Sequence, residues 1–453
     1  MNVEVDVVVV GLGPGGEFAA GALAEAGLEV VGVEAELVGG ECPYWGCVPS
    51  KMMIRAGDVL AEAGRVPVLA GEGKAVPDWK RVADRVRNEA TDAWNDRAAA
   101  DRLVAKGVRL VRGTGRLAGP RRVTVGDSTY QARRGVVLAT GTRPVIPPVP
   151  GLPATPYWTN RDAIATEELP TSMIVLGGGA IGVEIAQVFA RFGCAVTVVE
   201  GHERLLAREE PEAGELAERV LRSDGVTVRH RARAARVDHV GTAFEVRLEG
   251  EPDPLRAERL LVATGRRTDL AALAVDTAGV DPAARAVPTD GQMRAGDGLW
   301  AVGDVTGRGA FTHVSMYQAR IAVRDILGEP GPDADYRALP RVTFTDPEIG
   351  AVGLTERQAR EQEMRVRTAL VPIASSTRGW IHGPGTEGFI KLVEDADRGV
   401  LVGATSAGPA GGEVLYGLNV AVHAEVPTAR IAHMIYTYPT FHRAVEAALN
   451  ALR

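Results

Sequence analysis

Cysteine is scarce in this chain: three residues in 453. Three thiols cannot staple a protein of this size, so a disulfide-built secreted scaffold is excluded and the cytoplasm is the default expectation. There is no block of basic residues and the net charge is −7, so nucleic acid is not an expected partner. No apolar run reaches the roughly 20 residues a membrane-spanning helix needs, and no membrane is expected either. The start lacks a basic segment followed by a small-residue cleavage site; Val5-Asp6-Val7-Val8-Val9-Val10 reads as a buried strand instead. The 45% hydrophobic and 24% charged shares are those of an ordinary globular protein, and the length calls for about two to four domains.

Two of the three cysteines stand together, in Gly39-Gly40-Glu41-Cys42-Pro43-Tyr44-Trp45-Gly46-Cys47-Val48-Pro49-Ser50-Lys51. Three readings are open: structural thiols, half of a metal site, or a redox-active pair. No second Cys/His cluster at ligand spacing accompanies them, which argues against a closed zinc site, and no metal ligand is assigned. Pro49 suits the first turn of a helix, which Lys51-Met52-Met53-Ile54-Arg55-Ala56 continues. Cys47 then lies just before a helix N-terminus and close to a lysine, and both features lower a thiol's pKa. The spacing favours the redox reading, and the rest of the chain has to decide it.

The strand at 5–10 runs into Gly11-Leu12-Gly13-Pro14-Gly15-Gly16, then into an alanine-rich helical stretch at 17–26. A second strand, Glu29 to Val33, ends on Glu34. G-x-G-x-x-G is a weak signal alone; between a strand and a helix, with an acid about 20 residues on, it is a dinucleotide fingerprint. Its glycines let backbone N–H groups approach a pyrophosphate, and Glu34 is placed to accept from a ribose hydroxyl. The same module recurs. Ile174-Val175-Leu176 leads into Gly177-Gly178-Gly179-Ala180-Ile181-Gly182, a helix from Val183 to about Phe192, and a strand Ala195 to Val199 ending on Glu200. Both copies place 23 positions between first glycine and terminal glutamate (11 to 34, 177 to 200). Two such modules around a cysteine pair suggest a flavin and a nicotinamide.

A second duplication supports this reading. Val136-Val137-Leu138-Ala139-Thr140-Gly141-Thr142-Arg143 echoes Leu260-Leu261-Val262-Ala263-Thr264-Gly265-Arg266-Arg267, each read as a terminal strand where the chain crosses between domains. Prolines crowd the first crossing, as in a stiff linker. Residues 77–106 read as a charged helical stretch in which Trp79 and Trp94 pack; 108–130 and 201–259 carry strand-like patterns. His202 and Arg204 follow Glu200 and read as surface residues rather than phosphate ligands. Gly298 to Val305 is a short strand ending on Gly303-Asp304, where a carboxylate can meet a polyol. From Pro340 the composition turns strand-rich, and 337–453 reads as a separate α+β domain.

This ordered set resembles the class I pyridine nucleotide–disulfide oxidoreductases, the flavoproteins that include dihydrolipoamide dehydrogenase, glutathione reductase and mercuric reductase. The likeness spans essentially the whole chain. It runs through the two fingerprints, Cys42 to Lys51, both Ala-Thr-Gly copies, Gly303-Asp304, His313 in Thr-His-Val, and Phe344-Thr345-Asp346-Pro347-Glu348. The resemblance implies an α/β fold with two nested Rossmann-like domains and a C-terminal α+β dimerisation domain. The divisions are 1–146 with 264–336 for FAD, 147–263 for NAD(P)H, and 337–453 for the interface of a homodimer. It implies that Gly11, Gly13, Gly16, Glu34, Lys51 and Asp304 hold FAD and that Gly177, Gly179, Gly182 and Glu200 hold the nicotinamide dinucleotide. Gly40, Thr140, Gly141, Gly265 and Gly303 belong to the same cofactor sites. Cys47 is implied as the flavin-facing, charge-transfer thiolate, Cys42 as the interchange thiol, and Lys51 with Glu184 as a pair where hydride arrives. Cys194 reads as structural. Because a carboxylate at 200 accepts from a 2′-hydroxyl and repels a 2′-phosphate, NADH is favoured over NADPH.

The chain departs from the family at its end. Dithiol-handling members carry His-Pro-Thr-x-x-Glu, whose His moves protons for the neighbouring subunit; here the run is Tyr438-Pro439-Thr440-Phe441-His442-Arg443. A phenol with a pKa of about 10 is a poor base at neutral pH, and losing such a base costs on the order of 100- to 10,000-fold. The tyrosine is similar to mercuric reductase, but the C-terminal cysteine pair of that enzyme has no counterpart in Leu449-Asn450-Ala451-Leu452-Arg453. His442 is the candidate replacement base, although a helix from 440 onward points it elsewhere; His423 and His433 read as structural. Pro43-Tyr44-Trp45 between the cysteines is either loop packing or an aromatic wall restricting access to Cys42. The expected enzyme passes electrons from NADH through FAD to Cys42–Cys47 and on to a small-molecule acceptor: a disulfide, a metal ion or a quinone. The reading from another class is a redox-sensing or complex-docked flavoprotein.

Overall fold

The structure, a computed structural model, describes residues 2–452 and divides the chain into two compact units. Residues 1–50, 84–145 and 265–335 form the first. Its sheet is built on the strand Asn2–Val10, paired in parallel with Val30–Glu34 on one side and Ser128–Leu138 on the other. Val7 and Val9 face one apolar cluster while Val8 and Val10 face another. That two-sided burial is why the strand reads as an unbroken run of valines, each contributing roughly 1.5–3 kcal/mol. Arg109–Arg112 and Leu299–Ala301 extend the parallel order outward, and the helices Pro14–Glu25 and Thr312–Leu327 cover one face.

The second unit comprises residues 51–83, 146–264 and 336–453. It repeats the plan with four parallel strands in the order Thr227–Arg229, Ala195–Val199, Ser172–Leu176, Arg259–Val262. A three-stranded antiparallel sheet spanning Ala234–Val240, Ala243–Leu248 and Leu255–Ala257 lies beside it in sequence. The C-terminal part is a five-stranded antiparallel sheet whose inner strands Val400–Gly408 and Phe389–Asp395 are buried at every position but Val402. The helices Gly411–His423 and His442–Asn450 pack on it. The chain therefore adopts the α/β class with two dinucleotide-binding folds and an α+β C-terminal domain. Among the described residues no helix is long and apolar enough to cross a membrane.

Two stretches differ from the sequence reading. The helical stretch at 77–106 is not continuous: Trp79–Arg85 passes into a π-helical turn, Val86–Ala90, and the helix resumes only at Arg97–Ala105. Between them Asp92, Ala93 and Trp94 take φ of 48°, 53° and 57°, a left-handed run costing roughly 1–2 kcal/mol per residue. Within 201–259 a full helix, Pro211–Ser223, precedes the strands. Pro211 opens it, and Ala213, Leu216, Ala217 and Leu221 fall on its buried face.

Candidate active site

In the first unit the fingerprint loop is shaped by absence of side chains. Gly11 sits at φ 89°, and a Cβ there would stand 2.5 Å from the Ala139 carbonyl oxygen. One on Gly16 would stand 1.9 Å from the Gly11 carbonyl oxygen, so the third glycine permits helix and strand to touch. Gly13 caps the helix Pro14–Glu25 in extended conformation, and a Cβ on Gly40 would fall 2.7 Å from the Gly13 Cα. The floor between these glycines is thus bare backbone at a helix N-terminus, which is what a pyrophosphate requires. Glu34 ends its strand buried, accepting from the Leu12 N–H at 2.7 Å and from the Glu36 N–H at 2.8 Å. Burial pushes its carboxyl above the ordinary range although both backbone bonds oppose this. The residues present fit an adenine dinucleotide.

Asp304, in the short turn Gly303–Thr306 after the strand Leu299–Ala301, is raised by burial and lowered by the Thr142 hydroxyl, which donates to it at 2.8 Å. Thr142 in turn accepts from Arg266 Nε at 2.9 Å, and Arg266 Nη2 donates to its carbonyl at 2.6 Å. Arg266 also lies 3.6 Å from Glu41, the residue before Cys42. Arg143–Pro144 pairs with Arg266–Arg267 as a two-stranded ribbon, so the residues following the two Ala-Thr-Gly copies pair with each other. Neither Thr142 nor Arg266 was singled out from sequence; their place directly after the duplicated motif was the available signal. Thr140 and Gly141 lie in the turn between that ribbon and the strand Ser128–Leu138, Gly141 at φ 64°.

Cys42 lies half-buried in a single helical turn, Glu41–Tyr44, and Cys47 is exposed as the first residue of the helix Cys47–Leu69 rather than one position before it. Its Sγ lies 3.5 Å from the Thr312 hydroxyl, and His313 beyond stacks on Phe311 at 5.2 Å. Trp45 stacks on Trp94, centroids 5.3 Å apart and planes 18° from parallel. Cys194 is buried and pushed up to about 12, by burial first and by the Glu258 carboxylate second, so it is an inert thiol.

The second unit carries the second fingerprint with the same construction. A Cβ on Gly177 would meet the Ala263 carbonyl oxygen at 2.4 Å and one on Gly182 the Gly177 carbonyl oxygen at 2.0 Å, while Gly179 faces open space. Glu200 is buried and accepts from the Gly178 N–H at 2.6 Å and the His202 N–H at 2.7 Å. These are the same two positions, relative to glycine and glutamate, that hold Glu34. Arg204 is turned to the carbonyls of Ala207 and Glu209, at 3.2 and 3.1 Å. Gly265 opens the return into the first unit at φ 123°.

Also within the second unit, Lys51 Nζ donates to Glu184 at 2.8 Å and lies 4.5 Å above the Phe344 ring. The other oxygen of the buried Glu184 accepts from the Phe344 N–H at 2.8 Å. At the end of the chain Tyr438 is 65% exposed, with its hydroxyl 3.3 Å from that of Thr377. His442 is the first, exposed residue of the final helix. Arg443 pairs with Glu446 at 2.5 Å and faces the Tyr438 ring at 5.9 Å. Met434 and Ile435 are exposed nearby, the latter at 99%. Among the described residues no group of three or more His, Cys, Asp or Glu is arranged to hold a metal.

Comparison with known proteins matches residues 5–319 to pyridine nucleotide-disulphide oxidoreductase and 339–449 to the dimerisation domain of those enzymes. The dihydrolipoyl dehydrogenase of Chlorobaculum tepidum is 34% identical, over 99% of this chain and 97% of its own. The mercuric reductase of Shigella flexneri is 30% identical, over 96% of this chain and 79% of its own. Among solved structures, the Cu(II) complex of the HOCl-induced flavoprotein disulfide reductase RclA from Escherichia coli superposes with a TM-score of 0.85 at 26% identity, covering 99% of both chains. LpdA of Mycobacterium tuberculosis gives 0.86 at 26%, over 98% of this chain and 99% of its own. The chain belongs to the class I pyridine nucleotide-disulphide oxidoreductases, enzymes that use FAD and NAD(P)H and whose dimerisation domain implies a homodimer.

Proposed function

We propose that the enzyme oxidises NADH and delivers the electrons through Cys42 and Cys47 to a thiophilic metal ion of the Cu(II) or Hg(II) kind, in the cytoplasm. The observation that carries this is the pair Tyr438 and Arg443, which stand where a dithiol-handling member has histidine and glutamate. Arg443 is committed to Glu446 and the tyrosine ring, so nothing at 443 orients a base, and a phenol does not accept a proton at neutral pH. A disulfide acceptor takes up two protons as it is cleaved. A metal ion takes none: two M(II) become two M(I), or one Hg(II) becomes Hg(0), as Cys42 and Cys47 join in an S–S bond and release two protons to water. RclA has been captured with Cu(II), and mercuric reductases are among the relatives, which supports the same class.

In this reading residues 1–146 with 264–336 bind FAD, 147–263 bind the nicotinamide nucleotide, and 337–453 form the homodimer interface. Bound FAD supplies the two-electron relay between nicotinamide and cysteine. Gly11, Gly13, Gly16 and Gly40 leave room for its pyrophosphate; Glu34 and Asp304 accept from its hydroxyl groups. Lys51, fixed by Glu184, positions the reacting end. Cys47 faces the flavin and Cys42 meets the acceptor. Glu200 selects the free 2′-hydroxyl of NADH, and Arg204 turns one guanidinium nitrogen, Nη2, to the backbone carbonyls of Ala207 and Glu209. The test is NADH oxidation with Cu(II), Hg(II), lipoamide, oxidised glutathione and a quinone, in wild type, Cys42→Ser and Cys47→Ser. Metal-dependent turnover lost in both variants, with lipoamide at least tenfold slower, is expected. Lipoamide turnover as fast as metal turnover, or metal turnover that survives Cys42→Ser, overturns the proposal. If lipoamide wins, exposed His442 is the residue to test as its base.

A further inference from the structure

Asp92, Ala93 and Trp94 form the longest run of left-handed non-glycine residues among the described residues. Such a run persists only where surrounding contacts over-determine it. Behind it the π-helical turn Val86–Ala90 is closed by buried Thr91, whose hydroxyl donates to the carbonyls of Val86 and Arg87, 3.1 and 3.0 Å away. Ahead of it, the contacts lead to one place. Trp94 Nε1–H donates to the Tyr44 carbonyl at 3.2 Å, its ring stacks on Trp45, and Asp96 accepts from the Val38 N–H at 2.7 Å. Arg112 holds Asp96 in turn, at 2.7 Å. Trp94 of the strained run and Asp96 just beyond it therefore grip residues 38–45 at three points, and Cys42 lies inside that span. Trp45 directly follows the helical turn Glu41–Tyr44 that carries Cys42, and its N–H closes that turn by donating to the Glu41 carbonyl at 2.7 Å.

We propose that Trp94 is a positioning residue for the Cys42–Cys47 pair: stacked on Trp45 and bonded to the Tyr44 carbonyl, it holds the cysteine loop in one shape through the redox cycle and keeps the pair strongly reducing. The proposal rests on Cys42 and Cys47 being the redox centre. Forming the S–S bond removes conformational freedom from the loop that joins the two sulfurs. A loop already clamped loses less, so the clamp favours the disulfide over the dithiol and makes the dithiol a better electron donor. Without the clamp the dithiol loop gains freedom, and the pair's reduction potential rises. Trp45 is then part of a built support rather than loop filler.

The test equilibrates the FAD-loaded enzyme anaerobically with reduced and oxidised dithiothreitol, traps thiols with an alkylating agent, and counts alkylation at Cys42 and Cys47 by peptide mass spectrometry. In each exchange the protein disulfide gains two electrons and two protons as dithiothreitol cyclises, so the buffer ratio reads the equilibrium directly. Trp94→Ala is expected to lower the disulfide equilibrium constant about tenfold, close to 30 mV for a two-electron couple. Trp94→Phe, which keeps a ring but loses the N–H donor, is expected to shift it about threefold. The exciton signal of two stacked indoles in far-ultraviolet circular dichroism should vanish in both variants. A wild-type potential in Trp94→Ala overturns the proposal; should that variant fail to fold, a wild-type potential in Trp94→Phe does so alone. If the wild-type cysteines do not interconvert across the buffer range, the redox assignment itself fails.

Discussion

Replacing Glu184 by glutamine keeps the shape of the side chain and removes one of its two acceptor oxygens. Both are in use: one takes the Lys51 ammonium at 2.8 Å and the other the Phe344 N–H at 2.8 Å. A glutamine has one oxygen and one NH2 group, so whichever way the amide is turned a donor faces a donor. The backbone N–H cannot move, so the amide oxygen stays with Phe344 and Lys51 is released. A hydrogen bond to a charged group contributes about 1.5–3 kcal/mol, equivalent to roughly 10- to 150-fold in a rate that depends on it. The Lys51 side chain is 34% exposed, and water screening moves the expectation to the lower end, about tenfold. The assay is anaerobic stopped-flow reduction of the flavin by NADH, with flavin content measured on the same sample. Glu184→Gln should bind FAD fully and reduce it about tenfold more slowly. A rate within twofold of wild type would falsify the placing of Lys51 at the point of hydride arrival.

Gly16→Ala should expel FAD, because a Cβ there falls 1.9 Å from the Gly11 carbonyl oxygen; retention of full yellow colour after gel filtration would refute the cradle. The paired substitution Tyr438→His with Arg443→Glu should raise dihydrolipoamide oxidation about 100-fold, the low end of what a general base supplies; no gain would mean that position 438 does not face the thiols. Asp58 is raised from 3.8 to about 6, by burial first and the Asp346 carboxylate second, against Arg191 and Arg55. A carboxyl so raised contributes stability below about pH 4 that is lost as pH climbs through 6, at most about 3 kcal/mol. Its side chain is 32% exposed, which leaves about 1–2 kcal/mol. Asp58→Asn should thus gain Tm relative to wild type between pH 4 and 7, and parallel Tm–pH curves for the two proteins would contradict this.

Most of the frame was legible because it follows from period and spacing. The valine run at 7–10, the paired glycines and the glutamates at 34 and 200 each state a local rule that the fold obeys. What stayed hidden depended on contacts between distant residues. Nothing between Thr91 and Asp96 is a glycine or proline, so the break there could not be read from propensity; tertiary contacts to residues 38–45 override it. Lys51 and Glu184 are separated by 133 positions, and only the resemblance named them together. The strand-like reading of 201–259 rests on runs such as Val226-Thr227-Val228 and does not single out the helix Pro211–Ser223, although its apolar positions carry a helical period. The substitution at 438 needed no structure, since its chemistry is that of the side chain alone.

Glu34 and Glu200 are held by the same pair of backbone donors, one from the glycine loop and one two residues downstream. Each carboxylate is thus aimed before any nucleotide arrives, and ligand binding need not pay for ordering it. On the cofactor assignment proposed above, the two glutamates would present the same carboxylate geometry to an adenosine ribose, so this element would not distinguish a flavin from a nicotinamide dinucleotide. ADP-ribose, which lacks both redox rings, should accordingly occupy both clefts of the flavin-free protein with similar affinity, and calorimetry would count two sites per chain where the complete cofactors each fill one.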